Sequence, residues 1–166
     1  VFSNQKTGSM STSIVAAAAA GGLTAAVGVY LYLKSQTPSG FLAKVAEAEA
    51  TVGKVNVLDP KAAKELMAAT PDHLLLDVQD PGSATVKGSH SASLGTLPFK
   101  ASTDLADFKD PVIADRDKSK LIIVNCALGG QALLGAKMLV DYGFTNVKTI
   151  EGGCVAYNKV HPPKKC

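Results

Sequence analysis

"LIIVNCALGGQALLGAKMLVDYG", residues 121–143, decides the fold. Its first four residues are an unbroken aliphatic run, as expected of a strand buried on both faces of a parallel sheet. From Gln131 onward the apolar residues follow a helical period, with Leu133, Leu134, Met138 and Leu139 on one side and Gly143 as the stop. Between strand and helix lies a short loop of small residues headed by Cys126. A cysteine at the C-terminal edge of a parallel strand, just before a helix, sits where doubly wound sheets place their ligands.

The flanking segments continue the pattern. "VNVL" (55–58) reads as a short strand, and "DPKAAKELMAA" (59–69) as a helix capped by Asp59 with Pro60 at its first position. "HLLLDVQ" (73–79) is a second buried strand, and "NVKTIEGG" (146–153) gives a last strand and turn. This alternation predicts an α/β domain with a mainly parallel sheet flanked by helices, over residues 55–160.

Upstream, "FLAKVAEAEATVG" (41–53) predicts an amphipathic helix with Phe41, Leu42, Val45 and Ala48 on one face, read as a spacer within a linker over 35–54. Before it, Ile14 to Leu33 carry no charge over a length that spans a bilayer as a helix, and Lys34 closes the run. Residues 14–34 are therefore expected to form one transmembrane helix preceding the domain, after an extension over 1–13; residues 161–166 form a tail. Tyr30 and Tyr32 lie where interfacial anchors belong. Ala18, Gly22 and Ala26 recur every fourth residue and offer a flat face to another membrane helix. Alanine is only marginally apolar, so the span predicts a membrane protein complex as partner besides the lipid bilayer. Lys34, Lys44 and Lys54 follow the span and only Lys6 precedes it, which places the domain on the cytosol-equivalent side. A chain opening on Val1 suggests removal of an upstream presequence.

Charge excludes some functions. The net charge is +3, the lysines are scattered, and Arg116 is the only arginine, so no basic stripe for nucleic acid exists. Cys126, Cys154 and Cys166 form no C-x-x-C pair, which argues against a zinc site or a disulfide framework. His73, His90 and His161 stand alone and read as surface or turn residues. No metal and no cofactor is expected.

Residues 55–159 resemble a rhodanese-like domain. The resemblance is carried by "LLLDV" (74–78), "KGSHSASLGTLPFKAS" (87–102), the strand, cysteine, small loop and helix at 121–142, and "YGFTNVKTIEGGCVAYN" (142–158). It implies a five-stranded parallel sheet and a catalytic Cys126 that carries sulfur as a persulfide. The loop agrees: N–H groups of Ala127, Leu128, Gly129, Gly130 and Gln131 are expected to form an anion nest, with the helix start adding partial positive charge. Both favour a sulfur anion.

The sequence also departs from the family pattern. Active members carry an arginine five residues after the cysteine, where this chain has Gln131, and the family's Asp-Val-Arg is here Asp77-Val78-Gln79. The family's histidine position falls on Thr85, its last tryptophan on Tyr157, and Cys154 holds a place that is commonly aromatic. Phosphatases of this fold need an arginine six residues after the cysteine; Ala132 excludes that branch. With the cations gone and a membrane span present, the reading favours an accessory subunit or docking module of an organellar membrane complex, on which a soluble partner docks. The layout is similar to that of thylakoid rhodanese-like proteins beside photosynthetic electron-transfer machinery. That implies a chloroplast thylakoid membrane with the domain in the stroma, the alternative being the mitochondrial inner membrane with the domain in the matrix. A membrane-tethered sulfurtransferase using Cys126 is the alternative function, and a thiol redox sensor is the third.

Overall fold

A computed structural model describes residues 40–162. The expected membrane span at 14–34, with Ala18, Gly22 and Ala26, lies outside the described residues, as does Cys166. Among the described residues, no helix is long and apolar enough to cross a membrane.

The sheet has five parallel strands in the order β1-β5-β4-β2-β3. They are β1 (Val57–Leu58), β2 (Leu74–Asp77), β3 (His90–Ser91), β4 (Ile122–Asn125) and β5 (Val147–Ile150). The aliphatic run at 121–124 forms the middle strand, with Asp77 in register with Asn125 on one side and Thr149 with Val124 on the other. All four residues of β2 and of β4 are buried, which the absence of alternation requires.

Helices α1 (Phe41–Val52) and α5 (Gly130–Asp141) cover one face; α2 (Pro60–Ala69) and α6 (Gly153–Val160) cover the other. Leu74, Leu76, Ile122 and Val124 point into the first core with Ala48, Val52, Ala132, Ala136 and Leu139. Leu75, Ile123 and Ile150 point into the second with Ala63 and Cys154. Short helices α3 (Leu97–Lys100) and α4 (Pro111–Ala114) close the first core through Leu97 and Ile113.

Local chemistry sets the element ends. Asp59 accepts from the N–H of Lys61 at 2.9 Å and of Ala62 at 3.2 Å, and Pro60 opens α2, as its sequence signals. The same device begins α4, where Asp110 accepts from the N–H of Val112 at 3.1 Å ahead of Pro111.

Three readings change. The helix at 41–52 is part of the compact unit that begins at Gly40, because Ala48 and Val52 are buried in the first core against α5. Phe41 and Leu42 remain 55% and 66% exposed, so the buried stripe is narrower than the apolar one. Second, the strand expected at 55–58 is shortened to Val57–Leu58, since Lys54–Asn56 form a 3-10 turn held by the Asn56 N–H on the Gly53 carbonyl. Third, the turn at "EGG" is followed by a helix, α6.

Candidate active site

Cys126 follows the last residue of β4, at the C-terminal edge of the sheet's middle strand, and is 2% exposed. Two backbone donors meet its sulfur: the N–H of Gly129 at 3.1 Å and that of Ala132 at 3.3 Å. The reason lies in the helix start. Gly129 is the N-cap of α5 in a left-handed conformation (φ 96°) and has no side chain with which to cap. The N–H of the third helical residue, Ala132, is therefore free, and the Cys126 Sγ takes it as a capping oxygen would. Of the expected nest, Gly129 is a donor to sulfur; Ala132, one residue beyond the expected set, is the other. Leu128 forms the loop's apex with 73% of its surface exposed, and Gln131 is exposed. Both donors and the positive end of a twelve-residue helix stabilise negative charge on sulfur.

The loop is clamped from outside. The N–H of Cys154 donates to the Cys126 carbonyl at 2.7 Å, and that of Val155 to the Ala127 carbonyl at 3.2 Å. These are first-turn donors of α6, which would otherwise be orphans. The approach is close enough that Gly153 (φ 61°) has no room for a side chain: a Cβ there would lie 2.2 Å from the Cys126 oxygen. On the other flank the ring of Phe41 packs over Gly130, where a Cβ would meet it at 3.1 Å.

Among the described residues, no cation is hydrogen-bonded to this loop, whose sulfur is met by backbone N–H groups alone. Arg116 is engaged at the opposite, N-terminal edge of the sheet, donating to the carbonyls of Asp72 and Leu121. Gln79 occupies the interior beside β2 and is 6% exposed, as is Asp77. Its Nε2 donates to both Asp77 carboxylate oxygens at 3.2 and 3.3 Å and to the Ala84 carbonyl at 3.0 Å, and its N–H donates to Asp77 Oδ1 at 3.0 Å. A neutral amide thus satisfies a buried carboxylate. Cys154, 1% exposed, donates its thiol to the same Ala84 carbonyl at 3.0 Å. Burial pushes this thiol up, the negative charges of Asp77 and Cys126 add to the effect, and a hydrogen bond with Gln79 opposes it.

Other sequence candidates lie in separate places. Thr85 packs at the 84–89 turn, accepting from Asn125 Nδ2 at 3.4 Å and donating to Ser89 at 3.3 Å. His73 bonds the Thr70 carbonyl at 2.6 Å, His90 pairs with Asp110 at 2.7 Å, and His161 meets the Pro60 carbonyl at 3.1 Å. Among the described residues, no cluster of metal-ligating side chains occurs. Sequence reasoning passed over Asn125, wholly buried beside Cys126 with its Oδ1 unpartnered, as is the Oγ1 of Thr149 on β5. A polar residue ending an aliphatic run was the available signal.

Comparison with known proteins agrees with this geometry. The family model of the rhodanese-like domain matches residues 59–160. Among solved structures, a polysulfide-sulfur transferase homodimer from Wolinella succinogenes is 31% identical, with a TM-score of 0.53, over 74% of this chain and 85% of that one. A protein of unknown function from Rhodopseudomonas palustris CGA009, labelled a "possible tyrosine phosphatase", is 27% identical with a TM-score of 0.66, over 76% of this chain and 95% of that one. A rhodanese-related protein from Thermoplasma volcanium shares the fold at 19% identity and a TM-score of 0.51, over 65% of this chain and 95% of that one. No curated protein matches the chain. The parallel sheet, the cysteine loop at its centre and the matched family model together make this chain a member of the rhodanese-like domain family.

Proposed function

We propose that the domain is a sulfurtransferase that carries sulfur as a Cys126 persulfide and takes it from donors lacking a sulfonate group, such as polysulfide or an organic persulfide. The observation that carries this reading is the pair of N–H donors, from Gly129 and Ala132, converging on the Cys126 sulfur at the start of α5. In the first step the Cys126 thiolate attacks the terminal sulfane sulfur of R–S–S–, forming the Cys126 persulfide and releasing the thiolate R–S–. In the second step an acceptor thiolate takes that outer sulfur and restores the Cys126 thiolate. Backbone donors suffice to hold such a sulfur anion. A thiosulfate sulfonate also calls for a fixed cation, and Gln131 supplies none. The 31% identity to a polysulfide-sulfur transferase supports the same donor class.

The test is intact-mass analysis of the full chain after exposure to inorganic polysulfide, followed by transfer to a thiol acceptor. One added sulfur is expected on Cys126 and none after Cys126→Ser. A chain that neither retains a sulfur on Cys126 nor releases it as sulfide overturns the proposal.

A second reading makes the domain an accessory subunit of an organellar membrane complex, tethered by residues 14–34 and most simply in the thylakoid. The uncharged span and the neutral residues at 79 and 131 favour it. Cross-links mapped from the 14–34 segment after mild detergent extraction test it; a chain recovered without membrane partners, and turning over sulfur, overturns it. A thiol redox sensor, the third reading, predicts reversible glutathionylation of Cys126 without sulfur transfer.

A further inference from the structure

We infer that Cys154 is a resolving thiol for Cys126: it displaces the outer sulfur of the Cys126 persulfide as sulfide and closes a Cys126–Cys154 disulfide. The inference rests on the persulfide reading above and adds a second reacting residue to it.

The geometry starts from the 2.7 Å hydrogen bond between the Cys154 N–H and the Cys126 carbonyl. Standard bond lengths then hold the two Cα atoms within about 6.6 Å of each other. Disulfides span Cα separations of roughly 4.4–6.8 Å, so the backbones already stand at bridging distance. Both cysteines are buried and unbridged. The left-handed turn at Gly152 and Gly153 fixes this approach, since no side chain fits between Gly153 and the Cys126 oxygen. To close the bridge, Cys154 leaves the Ala84 carbonyl and Cys126 leaves its two N–H donors, and the two side chains turn toward each other from the two cores.

The chemistry balances without an external oxidant. Cys126–S–S– and Cys154–SH give Cys126–S–S–Cys154 and HS–. The inner sulfur of the persulfide forms the new bond, the outer sulfur leaves with the bonding pair, and the Cys154 proton goes to it. The sulfane sulfur is reduced to sulfide and the two cysteines are oxidised. Burial, together with the negative charges of Asp77 on β2 and Cys126 itself, holds that proton on Cys154 at rest. It passes to the outer persulfide sulfur as the Cys154 sulfur attacks, so that a thiolate is the nucleophile and HS– the leaving group. A dithiol reductant then reopens the disulfide by exchange. The domain would thereby pass two electrons from a dithiol to sulfane sulfur, with sulfide as product, beside its transfer to thiol acceptors.

The test loads the full-length chain with inorganic polysulfide, removes the excess by gel filtration, and follows it with no thiol added. Sulfide equal to the sulfur loaded is expected from the wild type, with a linked peptide containing Cys126 and Cys154; Cys154→Ser is expected to accumulate the persulfide instead. A persulfide equally long-lived in both chains, or a bridge that maps to Cys166, overturns the inference and leaves the sulfur-carrier reading standing. Sulfur that never appears on Cys126 in either chain overturns both.

Discussion

A methyl group on Gly153 would lie 2.2 Å from the carbonyl oxygen of Cys126 and 2.5 Å from that of Ala127. Both obstacles are backbone, so the clash is relieved only by breaking the bonds that α6 makes to the loop. Gly153→Ala is expected to cost about 3 kcal/mol or more, adding overpacking to left-handed strain. Gly88→Ala provides the comparison: its φ is 91° but nothing lies within 4 Å of the new Cβ, so strain alone, about 1–2 kcal/mol, is expected. Urea unfolding of the two variants measures the difference, and equal costs would refute the close approach.

Restoring a cation at position 131 should change donor preference. Gln131→Arg is expected to raise kcat/KM for thiosulfate relative to polysulfide by about tenfold or more, the effect of a charge-assisted hydrogen bond of roughly 1.5–3 kcal/mol. The gain should shrink as salt rises. An unchanged ratio would show that the missing arginine does not set the donor.

The Asp77–Gln79 pair predicts an asymmetry. Gln79→Leu leaves a buried carboxylate without its side-chain donor and should destabilise by about 2–3 kcal/mol. Adding Asp77→Leu should recover part of that loss, because the unpaired charge is then gone. A double variant that loses the sum of both single losses contradicts this account.

Cys154 predicts a pH dependence of stability. Its folded value is raised, so above the ordinary thiol value of about 8.5 the unfolded chain has lost a proton that the folded chain still holds. Stability should therefore be complete at neutral pH and fall as pH rises through that range. Cys154→Ala should remove this part of the slope. Urea midpoints of both chains under reducing conditions, kept below the tyrosine range because burial also raises Tyr157, decide the matter. Parallel declines would place the effect elsewhere.

Helix α1 belongs to the core through Ala48, which is fully buried, while Ala46 is exposed. Ala48→Glu should cost about 3 kcal/mol or more, and Ala46→Glu should stay within about 0.5 kcal/mol. Thermal melts of the two variants distinguish a packed helix from a detached spacer, for which both would be silent.

Elements whose signals are local were legible in sequence. β2 and β4 show as aliphatic runs, and α2 as Asp59 followed by Pro60. The two-residue strands β1 and β3 carry too few residues for any period, and α6 begins on Gly152 and Gly153 with no capping side chain, so its start reads as a turn. The burial of α1 depends on a facing helix, and a stripe of four apolar residues does not say which of them that helix covers. At the site, the glycines announced a nest. The second donor required knowing that Gly129 is the N-cap, which sets Ala132 as the free N–H. Gln79 was readable as a lost cation; its closure around Asp77 depends on the fold of residues 79–84.

Because Cys154 and Val155 in the first turn of α6 donate their N–H groups to the carbonyls of Cys126 and Ala127, the sulfur loop and the last helix are expected to open together. Amide exchange at Cys154 and Val155 is thus expected to report the opening of the backbone that carries Cys126. Whatever loosens or grips that final helix, whether a ligand, a neighbouring chain or a cut, is expected to act on the sulfur loop through those two bonds.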